Sequence, residues 1–331
     1  MRTLGAKLAV FAAAVVVVLV LPRILSDFQA VRFATIGAYF IAIVGLNVLV
    51  GYSGQISLAH GAFMAVGGYT TAILMADHGV RDIVTIPVAG LVAGIAGLAL
   101  GLPALRLSGL YLAIATFGIA VSLPSILKKF DGFTGGSTGI QLFGLPEQTG
   151  HGIGVTVLGH KLTNNDWLYY LTWTVGLAVF AVAWALMSGR IGRSLLAIRD
   201  SEVAASSAGV NPAFYKVLAF GISAAFAGVA GSLFAINTAY VNPDTFPIPL
   251  SLYLLVGVVV GGLGYLWGAA VGAAFIVYVP IWVQDVSKQA PQVVYGAAII
   301  LLMLLIPTGA AGLFNRVLLT RLWRRSSFKE V

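Results

Sequence analysis

Apolar residues along this chain come in long unbroken blocks rather than at helical or strand spacing. Ten blocks can be delimited, at 8–25, 33–50, 57–76, 84–104, 108–128, 167–188, 214–238, 250–264, 267–285 and 290–308. Each is long enough, or nearly so, to cross a hydrocarbon core of about 30 Å. A backbone in lipid has to satisfy its own hydrogen bonds, so the blocks predict an all-α polytopic membrane protein with about ten transmembrane helices. A transmembrane β-barrel would alternate residue by residue, and "FAAAVVVVLVL" does not. The first block follows Arg2 and Lys7 like a signal peptide, but "LPRILSDF" supplies no small-residue cleavage site, so a retained helix is expected.

Polar positions concentrate between the blocks. Two intervals are long, 129–166 and 189–213, and a basic tail occupies 309–331. No second soluble domain stands out, so residues 1–331 are read as one transmembrane domain. The interval "GYSGQISLAHG", Gly51 to Gly61, is unusual because four hydrogen-bonding side chains sit between two very apolar runs. Gln55 and His60 are five residues apart, which on a continuous helix separates them by about 140°. A break near Gly54, with the next helix starting at Ile56 or Ser57, is expected. The patch either lines a wet pathway or braces the structure; on that geometry Gln55 is the better candidate for the pathway and His60 for a buried hydrogen bond, and the pathway candidates are Gln55, Ser57, His60, Asn47, Tyr111 and Asn237.

Composition sharpens the picture. Of 331 residues, 59% are hydrophobic and 9% charged, against about 25% charged in soluble domains. The net charge of +8 reads as cytoplasmic loops, not as a nucleic-acid surface. With the N-terminus inside, the inner loops hold twelve cations and the outer loops seven, and both termini are cytoplasmic. Glycines recur four apart at Gly90/Gly94, Gly97/Gly101, Gly257/Gly261 and Gly264/Gly268/Gly272, a spacing that lets helices approach closely within the bundle.

Catalytic chemistry is missing. There is no cysteine, and the four histidines show no metal-ligand spacing. All eleven acids lie outside the blocks or at their ends, which disfavours an ion-coupled carrier. "GVTVLGHKL" (154–162) only superficially resembles a phosphate loop: His160 interrupts it and Leu162 stands where a hydroxyl must reach magnesium. The chain therefore reads as a pathway without an engine. It is a self-sufficient channel or carrier, or its engine is another chain.

The inner interval chooses between them. In "GRSLLAIRDSEVAASSAGVNPAFYKVLAF" (192–220), Asp200 or Ser201 can cap a short helix, 202–208. Gly209 can end that helix, and Asn211–Pro212 can open the next. The stretch resembles the Glu-Ala-Ala-xxx-Gly segment by which ABC-importer permeases dock on their ATPases. Ala204, Ala205 and Gly209 match; Val203 replaces the usual acid and Glu202 precedes it. That shifted form, with "GLNVLVGYSGQISLAHGAFMAVGGYTTAIL" (45–74), "GLPALRLSGLYLAIATFG" (101–118), "FTGGSTGI" (133–140), "VVGGLGYLWGAAVGA" (259–273) and "PTGAAGLF" (307–314), resembles the LivM-type permeases of branched-chain amino acid importers.

The resemblance implies a non-enzymatic permease of the bacterial inner membrane, with a fold like the vitamin B12-importer permeases. It implies a LivH-type partner permease, an extracytoplasmic binding protein and two cytoplasmic ATPases that hold the ATP and magnesium. Arg199, Asp200, Glu202, Ala204, Ala205 and Gly209 would then form the ATPase-coupling segment. Urea and short-amide importers use similar permeases and are the alternative substrate class.

Overall fold

A computed structural model describes residues 16, 18–23, 26–107, 109–145, 156–157, 160–161, 163–286, 296–297, 300 and 309–314. Within them α1 runs Asp27–Asn47, α2 His60–Ala76, α3 Asp82–Ala104, α4 Leu110–Lys129 and α5 Asp131–Thr134. Then follow α6 Asn164–Ser188, α7 Arg190–Asp200, α8 Glu202–Ser207, α9 Pro212–Thr238, α10 Ile248–Gly261 and α11 Ala269–Val286. The described strands are two-residue pieces: β1 Ile140–Gln141 pairs with β4 Tyr240–Val241, and β2 Thr156–Val157 with β3 His160–Lys161.

Seven described stretches are long and apolar enough to cross a membrane: Phe28–Tyr52, Asp82–Ala104, Leu110–Lys129, Asn164–Ser188, Pro212–Thr238, Pro243–Gly261 and Leu266–Val283. They match seven of the ten expected blocks. The blocks 8–25 and 290–308, and the tail beyond 314, lie largely outside the described residues. The block expected at 57–76 is shorter than anticipated. α2 has 17 residues, about 26 Å at 1.5 Å per residue, because residues 53–59 do not join it. Most of its side chains are buried inside the chain.

α9 lies at the centre and packs against α3, α2 and α1. It can do so because its inward positions are small: Gly221, Ala224, Ala227, Gly228, Gly231 and Ser232 are all buried. The glycines of α3 meet it. A methyl at Gly90 would lie 2.8 Å from Val229 Cγ2, and one at Gly94 or Gly101 would lie 3.2 Å from Ala225 or Phe220 Cβ. On α2, a methyl at Gly67 would fall 2.5 Å from Gly228 Cα. The α10–α11 pair repeats the device, with Gly257 against Gly272 and Gly261 against Gly268. The four-residue glycine spacing is thus used for packing inside this bundle, except at Gly264, which turns the chain between α10 and α11 at φ +79°.

The bundle ends sort as alternating spans require. At one end Arg199, Gly51, Lys216 and Gly264 come together. At the other, Lys128 pairs with Asp244 at 3.0 Å beside the β1–β4 ladder. The interval 189–213 holds more structure than the single short helix expected. α7 precedes it as an amphipathic helix with Gly192, Leu195 and Ile198 buried.

Candidate pathway and coupling site

α1 does not stop cleanly. It runs into a π-helical turn, Val48–Tyr52, before the chain turns through Gly54 at φ +72°. The break expected near Gly54 is there, but α2 starts at His60, later than Ile56 or Ser57. Breaking a helix frees backbone groups, which in an apolar setting have to be satisfied. The polar side chains of 51–61 and their distant partners do this. Leu58 N donates to Thr116 Oγ1 at 3.0 Å, Ala59 N to Ser57 Oγ at 3.3 Å, and Gly61 N to Ser251 Oγ at 2.9 Å. Gln55 Nε2 donates to Ser53 Oγ and, at 3.5 Å, to the Lys216 carbonyl.

Ser53, Gln55, Ser57 and His60 are all buried. Gln55 therefore does not face a path as expected; the Ser53 hydroxyl and Lys216 carbonyl hold it inside the chain. Ser57, another expected lining residue, braces Ala59 N. His60 behaves as expected of a buried hydrogen-bonding group. Its Nε2 lies 2.9 Å from the Ala42 carbonyl and its Nδ1 3.5 Å from Ser223 Oγ. Donating from Nε2 and accepting at Nδ1 suits the neutral ring. His60→Ala removes the Ser223 hydroxyl's buried partner and a second bond to the Ala42 carbonyl, and an unsatisfied buried group costs about 1–3 kcal/mol. The yield of folded permease, measured as the monodisperse fraction after detergent extraction, is expected to fall accordingly.

Asn47, expected as pathway lining, is instead a clamp. It is buried; its Oδ1 accepts from Gly264 N at 2.8 Å and its Nδ2 donates to the Tyr265 carbonyl at 3.1 Å. It thereby pins the α10–α11 turn to the end of α1. Asn237 is half-buried, with Nδ2 3.4 Å from Thr172 Oγ1 and its Oδ1 without a partner among the described residues. Tyr111 is different, being 74% exposed.

Tyr111 heads a face of α4 that sequence reading missed. α4 is the least buried of the seven candidate spans. Most of its exposed residues fall on two stripes, with Ile126 at the edge of the second and Lys128 at the end of the first. One is apolar: Leu110, Ile114, Phe117 and Val121. The other runs Tyr111, Ala115, Gly118, Ser122, Ser125 and Lys129, all exposed. Steps of three and four residues keep these six on one side of the helix. The first stripe suits lipid. The second offers hydroxyls and an open Gly118, which suits water, a polar solute or another protein helix. The missed signal was the three- and four-residue spacing of small and polar residues inside an otherwise apolar block.

The segment 199–209 forms the short capped helix expected at 202–208, ending at Ser207. Ser201 Oγ accepts from Ala204 N at 3.3 Å and so caps α8. Gly209, at φ +82°, ends the helix, with Val210 N bonded to the Ala205 carbonyl at 3.0 Å. Asn211 Oδ1 accepts from Phe214 N at 3.2 Å and Pro212 opens α9. Asp200, Glu202, Ala204 and Gly209 are exposed. Ala205 is only 3% exposed and is turned into the chain, because successive helical residues point about 100° apart. Val203, at 79% exposed, takes the outward place beside Ala204. Glu202 also pairs with Lys216 at 2.5 Å, joining α8 to α9.

Seven apolar spans around a braced helix break, with an exposed knob at one end, define a multi-pass membrane protein. The chain belongs to the family described as "Branched-chain amino acid transport system / permease component", whose model matches residues 30–322. It is 35% identical over 286 residues to the high-affinity branched-chain amino acid transport system permease protein LivM of Escherichia coli K12, covering 82% of this chain and 67% of that protein. It is 26% identical over 298 residues to LivH of the same organism, covering 86% and 94%. BraD of Pseudomonas aeruginosa, named in the same way, is 25% identical over 302 residues, covering 86% and 95%. No solved structure matches. The chain is thus a membrane permease and not an enzyme.

Proposed function

We propose that this chain is one permease of an ATP-driven ABC importer that carries branched-chain amino acids across the bacterial inner membrane. The observation that carries the reading is similarity over most of the chain to permeases named for that substrate. Residues 1–331 form a single domain of ten spans with a fold like the vitamin B12-importer permeases. The knob end is cytoplasmic, as are both termini, and 129–166 lies outside. Similarity to both LivM and LivH of one organism supports pairing with a second, LivH-type permease. Two cytoplasmic ATPases bind ATP and magnesium and grip α8. A binding protein delivers substrate from outside. The polar stripe of α4 lines the passage, where hydroxyls offer a zwitterion transient hydrogen bonds without a fixed charge to trap it.

Proteoliposomes with the full complex, loaded binding protein and internal ATP are expected to accumulate leucine. Those with this chain alone are expected to stay at background. Gradient-driven uptake by the lone chain would overturn the importer reading in favour of a channel or carrier. Uptake of urea but not leucine would move the substrate to the short-amide class.

A further inference from the structure

Arg199 was expected to belong to the surface that meets the ATPase; its side chain is 39% exposed, yet its guanidinium also reaches the helix break. Nη1 donates to the Gly51 carbonyl at 2.6 Å, while Nε and Nη2 each lie 3.4 Å from Asp200 Oδ1. Its stem rests on the left-handed turn of the break, since a methyl at Gly54 would lie 2.8 Å from Arg199 Cγ. The Gly51 carbonyl is the kind of acceptor a terminated helix leaves free. Gly51 also touches the α10–α11 turn: a methyl there would fall 2.5 Å from Gly264 N, the group that Asn47 holds. Three segments therefore meet at one guanidinium: the end of α7, the break after α1, and the turn between α10 and α11. A second link runs in parallel. Lys216 is paired through its ammonium with Glu202 of α8 and through its carbonyl with Gln55 of the break.

We propose that Arg199 is a positioning residue that ties the ATPase-gripped segment to the helix break, so that displacement of α7–α8 moves residues 48–59. The proposal rests on the reading above that α8 docks on an ATPase. Val203, 79% exposed on α8, lies only four positions beyond Arg199 across the extended Ser201, so grip and tether are close along the chain. A charged donor to a carbonyl makes a strong hydrogen bond for such a tether. The glycine seat fixes the direction from which it pulls.

The test uses the assembled complex, with both permeases, the ATPases and the binding protein. Arg199→Met keeps the stem and removes the donors; Arg199→Lys keeps the charge and one donor group. Arg199→Met is expected to assemble and hydrolyse ATP nearly as wild type. Leucine moved per ATP is expected to fall about tenfold, the scale of one charge-assisted hydrogen bond, with partial recovery in Arg199→Lys. A second readout is maleimide labelling of Ile56→Cys, which is 43% exposed on the break as Ile. Its rate is expected to change between nucleotide-free and vanadate-trapped complexes, and to stop changing when Arg199→Met is added. Parallel loss of uptake and hydrolysis, unchanged coupling, or a labelling change that survives Arg199→Met would overturn the tether. If Arg199→Met does not assemble, Arg199→Lys decides: hydrolysis exceeding uptake supports the tether, and matched activities reject it. A wild-type complex without ATP-driven uptake would instead overturn the functional reading itself.

Discussion

Arginine in place of Ala204 is expected to abolish ATP-driven uptake while leaving the permease folded. Ala204 sits on the exposed side of a short capped helix, next to Val203. Exposed apolar and small residues on a helix outside the apolar spans suit a partner surface. A charge forced into that interface without a counter-charge costs about 3–5 kcal/mol, enough to weaken attachment about a hundredfold or more. The helix itself tolerates the change, because arginine is a good helix former and Ala204 contributes only its backbone N–H to the cap. Gly209 is a poorer test, since any side chain at φ +82° strains the turn as well as the surface. Purification through a tag on this chain should recover the partner permease but lose the ATPases, and uptake should drop to background. Ala204→Ser should behave as wild type. Normal uptake by Ala204→Arg would place the docking surface elsewhere.

Tryptophan at Ser122 should stop uptake in a complex that still assembles. Ser122 lies on the polar stripe of α4, one turn from Gly118, where nothing lies within 4 Å of an added methyl. An indole there fills space that the chain itself leaves open, so folding is untouched and the passage is obstructed. Val121→Trp is the matched control. It adds nearly as much bulk to the apolar stripe of the same helix, the stripe that suits lipid, and should leave uptake near wild type. Equal loss in both variants would make α4 a packing helix. Loss of the partner permease from purified Ser122→Trp would make the stripe a subunit contact.

Much of this architecture was legible because it is local. Asn211–Pro212 starts a helix, Gly209 ends one, and glycines spaced by four within the spans, as at Gly90/Gly94, pack helices closely. The break near Gly54 was legible for the same reason. What its polar side chains do was not, because their partners lie far away in sequence: Ser251 for Gly61, Lys216 for Gln55, Gly264 for Asn47. Local pattern announces that a freed backbone group needs a partner, never which one. α7 escaped notice because its arginines mark it as a cytoplasmic loop, while its buried Leu195 and Ile198 make too short a stripe beside 20-residue apolar blocks. Ala205 was assigned outward by motif alone, without regard to helical rotation.

The bare contact between α2 and α9 limits how this protein can change over generations. In an ordinary core, a residue that grows can be offset by a neighbour that shrinks. Here Gly67 faces the backbone of Gly228, and Gly231 faces the backbone of Met64. Neither has an opposing side chain to trim. A larger residue at any of these glycines has no second-site remedy short of moving a whole helix. A suppressor screen started from Gly67→Val should therefore return revertants at codon 67 rather than compensating changes in α9.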